Sequence, residues 1–218
     1  SNTKRDYKFF QSLKSLEKSK NLSVFCSTKK ITDDHTIRLK FVEKLKEHFN
    51  DDLDWYGHKD NLLDQKWEGI SPYKYHIVIE NESRNNLISE KLYDSFLGIS
   101  YPFYFGAPNI LSYFPKNSLT RIDIFDLPKT IELIEESIFN NTYENSFESL
   151  IESKNIVLDE FNLFKRIRNE VQKLPKNNTD KKIIKLYSVG EFWKRNVNTK
   201  QKTKHYLKRK LRLNLRNY

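Results

Sequence analysis

Ser89–Glu90–Lys91 and a single earlier cation, Arg38, are the residues whose types and placing could do chemistry in this chain. Ser89 stands where a helix N-cap belongs, ahead of Glu90, Lys91 and the apolar positions Leu92, Phe96 and Leu97. A helix start carries free N–H groups and the positive end of the dipole, so it attracts anions and phosphates above all. Lys91 on the first turn adds a full positive charge. Arg38 is expected in the first turn of an earlier helix, from about Thr36 to Phe49, where the dipole disfavours a lone cation. A bound anion would resolve that conflict; an ordinary solvated arginine is the plainer alternative. The chemistry these residues support is phosphate binding. By themselves Glu90 reads as a first-turn carboxylate favoured by the dipole, and Asn81 as a turn residue.

The elements that must position them lie in residues 75–106, YHIVIENESRNNLISEKLYDSFLGISYPFYFG. An apolar strand, Tyr75 to Ile79, ends abruptly in Glu80–Asn81. A loop without glycine follows, with two adjacent asparagines, Asn85–Asn86. Gly98 suits the stop of the helix, and Tyr101 to Phe105 resumes a strand closed by Gly106. A helix that starts at the carboxyl end of a buried strand points its N-terminus into the crevice above the sheet, where open α/β folds bind phosphates. Further strands are expected at Leu22–Ser27, Leu53–Gly57 and Leu119–Phe125. Helices are expected over 5–20, over Pro128–Phe139 capped by Asp126, and through much of 143–174, with a short one at Pro108–Phe114. Trp67 and Tyr73 belong to a connector, 58–74, packing over the sheet edge. Strands alternating with helices imply an α/β fold, Rossmann-like, with a mostly parallel sheet covered on both faces. The expected organisation is an N-terminal helix (1–21), a nucleotide-binding domain with C-terminal helices (22–174), and a linker and basic amphipathic tail (175–218).

The 218 residues suffice for one sizeable core. The net charge of +10 is confined to one end: residues 192–218 hold ten of the 39 lysines and arginines, leaving 29 basic against 29 acidic residues over 1–191. A neutral body argues against a nucleic-acid partner. In the tail, Leu207, Leu211 and Leu215 recur at helical spacing among basic residues, as suits an anionic membrane surface; a solvated tail or a nucleic-acid contact fits the same composition. The one cysteine, Cys26, excludes an internal disulfide and points to a reducing compartment, hence a cytoplasmic protein with its tail suited to the inner membrane face. Asp52–Leu53–Asp54 has the spacing of a divalent-cation pair, but acidic residues before a strand are common, and no essential metal or other cofactor is expected. Methionine is absent even at position 1, so a processed product or an excised piece of a longer chain is expected.

The order Glu80–Asn81, then Ser89–Glu90–Lys91, then Pro102 to Gly106 resembles the donor-nucleotide motif of the alpha-1,3-fucosyltransferases. FCSTKK (25–30), Arg38, DWYG (54–57) and FPKNSL (114–119) extend the likeness over roughly residues 22 to 145. The resemblance implies a fold like the C-terminal domain of a GT-B glycosyltransferase and an inverting transfer of fucose from GDP-fucose to a glycan acceptor. It implies phosphate contacts from Arg38 and Lys91, and donor contacts from Glu80, Asn81, Ser89 and Glu90. It also implies a general base in a separate N-terminal acceptor half, for which nothing before residue 22 has room. Leu87 stands where the family carries a tyrosine. The alternative is an inactive nucleotide-binding or scaffolding module with a membrane-binding tail.

Overall fold

Apolar runs without polar alternation suit strands covered on both faces. The central strands of this chain are such runs, and they form one parallel sheet in the computed structural model, which describes residues 5–28, 33–58 and 61–173. The strands are β1 (Lys20–Phe25), β2 (Leu53–Tyr56), β3 (Tyr73–Ile79), β4 (Tyr101–Phe105) and β5 (Thr120–Arg121), in the order β2-β1-β3-β4-β5. Leu22 pairs with Leu53 on one side and Tyr75 on the other, and Tyr75 in turn with Tyr101. Val24, Ile77, Val78 and Phe103 are fully buried at the centre.

The chain runs from β1 outward to β2, and from β3 the opposite way to β4. Right-handed crossovers therefore place α2 (Asp33–Phe49) and α3 (Glu90–Leu97) on opposite faces of the sheet. Helix α4 (Leu127–Phe139) packs against α2, and α6 (Phe147–Asp159) against α3, with the short α5 (Thr142–Asn145) between them in sequence. Helix α7 (Leu163–Lys173) closes the described part. The chain divides into two units, Ser1–Gln172 and Lys173–Tyr218. The linker at 176–180 and the basic tail of 192–218 lie outside the described residues, as do Lys29–Thr32.

Several boundaries differ from expectation, each for a tertiary reason. The N-terminal helix α1 spans only Tyr7–Ser12, after which the chain extends and β1 begins at Lys20. The buried Lys154 ammonium donates to the carbonyls of Phe10 (3.0 Å), which also accepts the Leu13 N–H, and Leu13 (2.5 Å), and so meets the helix end from outside. The Lys18 ammonium reaches beneath the sheet to the carbonyls of Ser71 (2.8 Å) and Gly98 (2.7 Å). Tyr73 opens β3 and is buried, whereas Trp67 joins Phe10 and Leu158 in a satellite core. The fifth strand is two residues long, because Asp123 and Asp126 turn the chain into α4: Asp126 caps the helix and the Thr130 hydroxyl donates to the Asp123 carbonyl. Only short 3₁₀ turns form at Ile110–Ser112 and Lys116–Ser118. Beyond α6, Phe161 is partly buried but Phe164 and Ile167 are exposed.

Asp54 accepts from Tyr73 (2.6 Å) and Lys20 (2.9 Å) at the start of the sheet. Burial pushes its carboxyl up, and these donors more than reverse that, leaving it below the usual range. Among the described residues no group of three or more metal-ligating side chains gathers.

One buried polar pair makes the sheet sensitive to acid. Ser23 and His76 face each other across β1 and β3 with Oγ and Nδ1 2.8 Å apart, while the Ser23 hydroxyl donates to the Gly69 carbonyl at 2.8 Å. With the hydroxyl proton so used, the His76 ring donates from Nδ1 and is neutral. Burial, aided by Lys66 and Lys18, pushes its pKa from 6.5 down to about 3. Between those values the unfolded chain binds a proton that the folded chain refuses. Stability is therefore complete above 6.5 and falls as pH drops toward 3, by up to about 1.4 kcal/mol per pH unit from this group. Urea titrations at pH 7 and pH 4 check this: the loss between them is larger for wild type than for His76→Phe, and equal losses would refute it.

Candidate functional site

The carboxyl ends of β1 and β3 diverge where the strand order reverses, and a ligand crevice is expected at that point in a doubly wound sheet. Residues from three segments meet there: the β3 end (Glu80–Asn81), the start of α3, and α2.

At the start of α3, Ser89 is the N-cap, extended in backbone, with its side chain accepting from the Lys91 N–H. Glu80 lies just beneath, 2% exposed. The Ser89 N–H donates to Glu80 Oε1 (2.9 Å), and the Ser89 hydroxyl (2.8 Å) and Lys91 ammonium (3.1 Å) donate to Oε2. The Lys91 ammonium also donates to Ser89 Oγ at 3.3 Å. The helix end thus already meets one anion of the protein's own. Glu80, expected among the donor contacts, is turned inward. Glu90 is exposed on the first turn; burial pushes its carboxyl up, but its own N–H, Lys91 and Lys66 together outweigh that and hold it below the usual range.

Helix α2 begins at Asp33, with Asp33 and Asp34 on its first turn. Arg38 therefore sits a turn further in than expected, and the conflict with the dipole predicted from the sequence does not arise. Arg38 is buried, 8% exposed over the whole residue, and its Nη1 donates to Asn81 Oδ1 at 2.5 Å. Among the described residues its Nε has no hydrogen-bond partner. Neighbouring Cys26 at the end of β1 is buried, and burial pushes its thiol up against the opposing pull of Arg38. Arg38 and Lys91 thus arrive from opposite faces and are tied to adjacent residues, Asn81 and Glu80. What such an arrangement can do is hold an anion between two fixed cations and a helix end.

The loop between β3 and α3 is held by residues the sequence reading did not single out. Asn86 adopts a left-handed backbone (φ 65°), which asparagine tolerates well. Its N–H donates to Asn109 Oδ1 (2.9 Å), and its own Oδ1 accepts from Asn109 (2.7 Å) and Tyr113 (2.6 Å). Ser83 donates to the Gly106 carbonyl at 2.9 Å. The available signal was the adjacent pair Asn85–Asn86 in a loop lacking glycine. Leu87 is partly buried in this loop. Beside α3, Tyr93 and Tyr113 pack on Phe161 (5.1 and 5.9 Å between ring centres) and Arg166 lies over the same ring. Burial pushes the Tyr93 hydroxyl up to about 12.

Gly106 closes β4 because nothing larger fits. A Cβ there would stand 2.2 Å from Tyr104 Oη and 2.7 Å from Glu80 Cγ. Gly106→Ala must displace the tyrosine, whose hydroxyl accepts from the Ala107 N–H, or the buried carboxylate. Overpacking of this kind costs about 1–3 kcal/mol. Urea unfolding of Gly106→Ala checks it; unchanged stability would show that the space is not occupied as described.

Residues 15–148 match the family model described as Glycosyltransferase family 10 (fucosyltransferase) C-term. Over 86 residues the chain is 24% identical to an alpha-(1,3)-fucosyltransferase of Helicobacter pylori, a match that takes in 39% of this chain and 18% of that protein's length. Among solved structures, an alpha1,3-fucosyltransferase with GDP-fucose aligns with a TM-score of 0.49 at 19% identity, covering 59% of this chain and 38% of the other. A second, with GDP, aligns at 0.49 and 18%, covering 64% and 46%. The family match extends over more than half of the chain, through all five strands and the β3–α3 crevice, and the chain belongs to glycosyltransferase family 10, the fucosyltransferases, in its C-terminal region.

Proposed function

We propose that this chain is the donor-binding half of a fucosyltransferase and that the crevice at β1 and β3 takes the diphosphate of GDP-fucose. The observation that carries the reading is Arg38: a buried arginine held by Asn81, with its Nε unpartnered among the described residues at the switch point of the sheet. A buried cation with a spare donor is costly unless an anion completes it. Membership of the fucosyltransferase family supports the choice of a guanine sugar nucleotide.

In the reaction so proposed, the acceptor hydroxyl attacks the anomeric carbon of fucose from the side opposite the nucleotide. The bond to the phosphate oxygen breaks, its electron pair leaves with GDP, and the configuration inverts. The contribution of this chain is electrostatic. Arg38 and Lys91, fixed before the reaction, meet the charge that grows on the departing diphosphate. Asn81, Ser89 and Glu90 line the approach and suit donor hydroxyls and the nucleotide. The base that takes the acceptor proton comes from an acceptor half outside this chain. The glycan acceptor binds mainly there. No helix among the described residues is long and apolar enough to cross a membrane. The ten cations of 192–218 suit an anionic surface on the inner face of a membrane, and a scaffolding role without transfer is the alternative reading.

Calorimetry with GDP and GDP-fucose tests the proposal. Wild type binds both, and Arg38→Ala and Lys91→Ala each weaken binding about 10- to 100-fold, the range for a lost hydrogen bond to a charged group. Wild type and both variants binding equally weakly would refute it. Binding without transfer when an acceptor half is supplied would favour the scaffolding alternative. Liposome sedimentation tests the tail separately: truncation at residue 191 abolishes binding to anionic vesicles, and no change on truncation would end that part.

A further inference from the structure

The geometry points to a role for Glu80 that rests on the diphosphate reading of the crevice and goes beyond it: we propose that Glu80 is a positioning residue that touches no ligand and presents the Lys91 ammonium to the phosphate. Its carboxylate is 2% exposed, and both oxygens face inward onto Ser89 and Lys91. The Lys91 side chain, by contrast, is 29% exposed. Two of the three ammonium donors are directed at Glu80 Oε2 and Ser89 Oγ, which leaves the third for whatever enters the crevice.

Lysine is a flexible stem with a strongly hydrated head, and on the first turn of a helix the dipole pushes it away. Without an anion beneath it, this ammonium would turn into solvent. Glu80 supplies the anion from the sheet, a rigid element, and the absence of a side chain on Gly106 keeps the space it fills. The preceding observation on Arg38 completes the device. Asn81 holds the guanidinium and Glu80 holds the ammonium, so one peptide unit sets the spacing of the two cations.

The test is a double-mutant cycle on GDP affinity, using Glu80→Gln, Lys91→Ala, their combination, and Arg38→Ala as an independent reporter of the crevice. A glutamine can still accept the Ser89 N–H and donate to Ser89 Oγ, so the cap survives while Lys91 loses its anionic partner. The expected result is a thermal midpoint little changed, GDP binding about tenfold weaker in Glu80→Gln, and a double variant no weaker than Lys91→Ala alone. Wild-type affinity in Glu80→Gln, or losses that multiply in the double variant, would overturn the positioning role. If that happens while Arg38→Ala still weakens GDP binding, the crevice reading stands and only the role of Glu80 falls. If Arg38→Ala and Lys91→Ala both bind as wild type does, the crevice reading falls and takes this role with it. Should Glu80→Gln not fold, Glu80→Asp enters the same cycle, since it keeps the charge but withdraws it by one methylene.

Discussion

A carboxylate buried under the first turn of a helix is an expensive thing for a small domain to keep, and the arrangement around Glu80 depends on how that expense is offset. Taking an ion out of water costs several kcal/mol even after relaxation. Here the offset has three parts: the Ser89 N–H and hydroxyl, the Lys91 ammonium, and the positive end of α3. None works unless the helix starts at residue 90 and lies close over the end of β3. The geometry of the carboxylate and the geometry of the helix therefore determine each other. Gly106 and the Asn86–Asn109 contacts belong to the same constraint, because both keep neighbouring segments out of, or tight against, that space.

Topology brings the second cation to the same place. In the order β2-β1-β3-β4-β5, the helices after β1 and β3 lie on opposite faces, yet both start at the carboxyl edge of the sheet. Arg38 from α2 and Lys91 from α3 thus reach the gap between diverging strands from its two sides. The distance between them is not left to two flexible side chains. It is set by Glu80–Asn81, an extension of β3 whose Glu80 N–H still donates to the Phe105 carbonyl at 2.8 Å, as a continuation of the strand ladder. A site built on a strand end holds its charges more narrowly than one built on loops.

Much of this was legible in the sequence. Ser89, Gly98 and Asp126 act as the caps their types suggest, and the apolar runs 75–79 and 101–105 are the central strands. These signals are local, and a local signal survives folding when the tertiary context agrees with it. What was not legible depends on partners far away in the chain. The end of α1 after Ser12 meets Lys154, and Lys18 ties the extended stretch to the carbonyls of Ser71 and Gly98; none of these partners leaves a mark near residues 12–19. The inward turn of Glu80 was hidden for the same reason. An acid at a strand end looks like a site ligand until the residue nine positions on is known to lie above it. The first-turn placing of Arg38 erred through the usual uncertainty of a helix start, where Asp33 and Asp34 carry the favourable charge.

The charge balance of the crevice follows from these contacts and bears on what it can bind. Glu80 and Lys91 largely cancel at short range, so the fixed excess is one guanidinium plus the end of a helix. Two uncompensated cations and a dipole end in one partly dry gap would repel each other in the empty protein, and the folded state would bear that repulsion whenever no ligand was bound. An internal anion removes most of it. The crevice is then stable when empty and, on the proposed reading, still positive enough to meet a diphosphate. Deleting Glu80 would leave that repulsion in place and free the Lys91 ammonium to turn into solvent. One buried carboxylate thus serves both the stability of the empty crevice and the placing of Lys91.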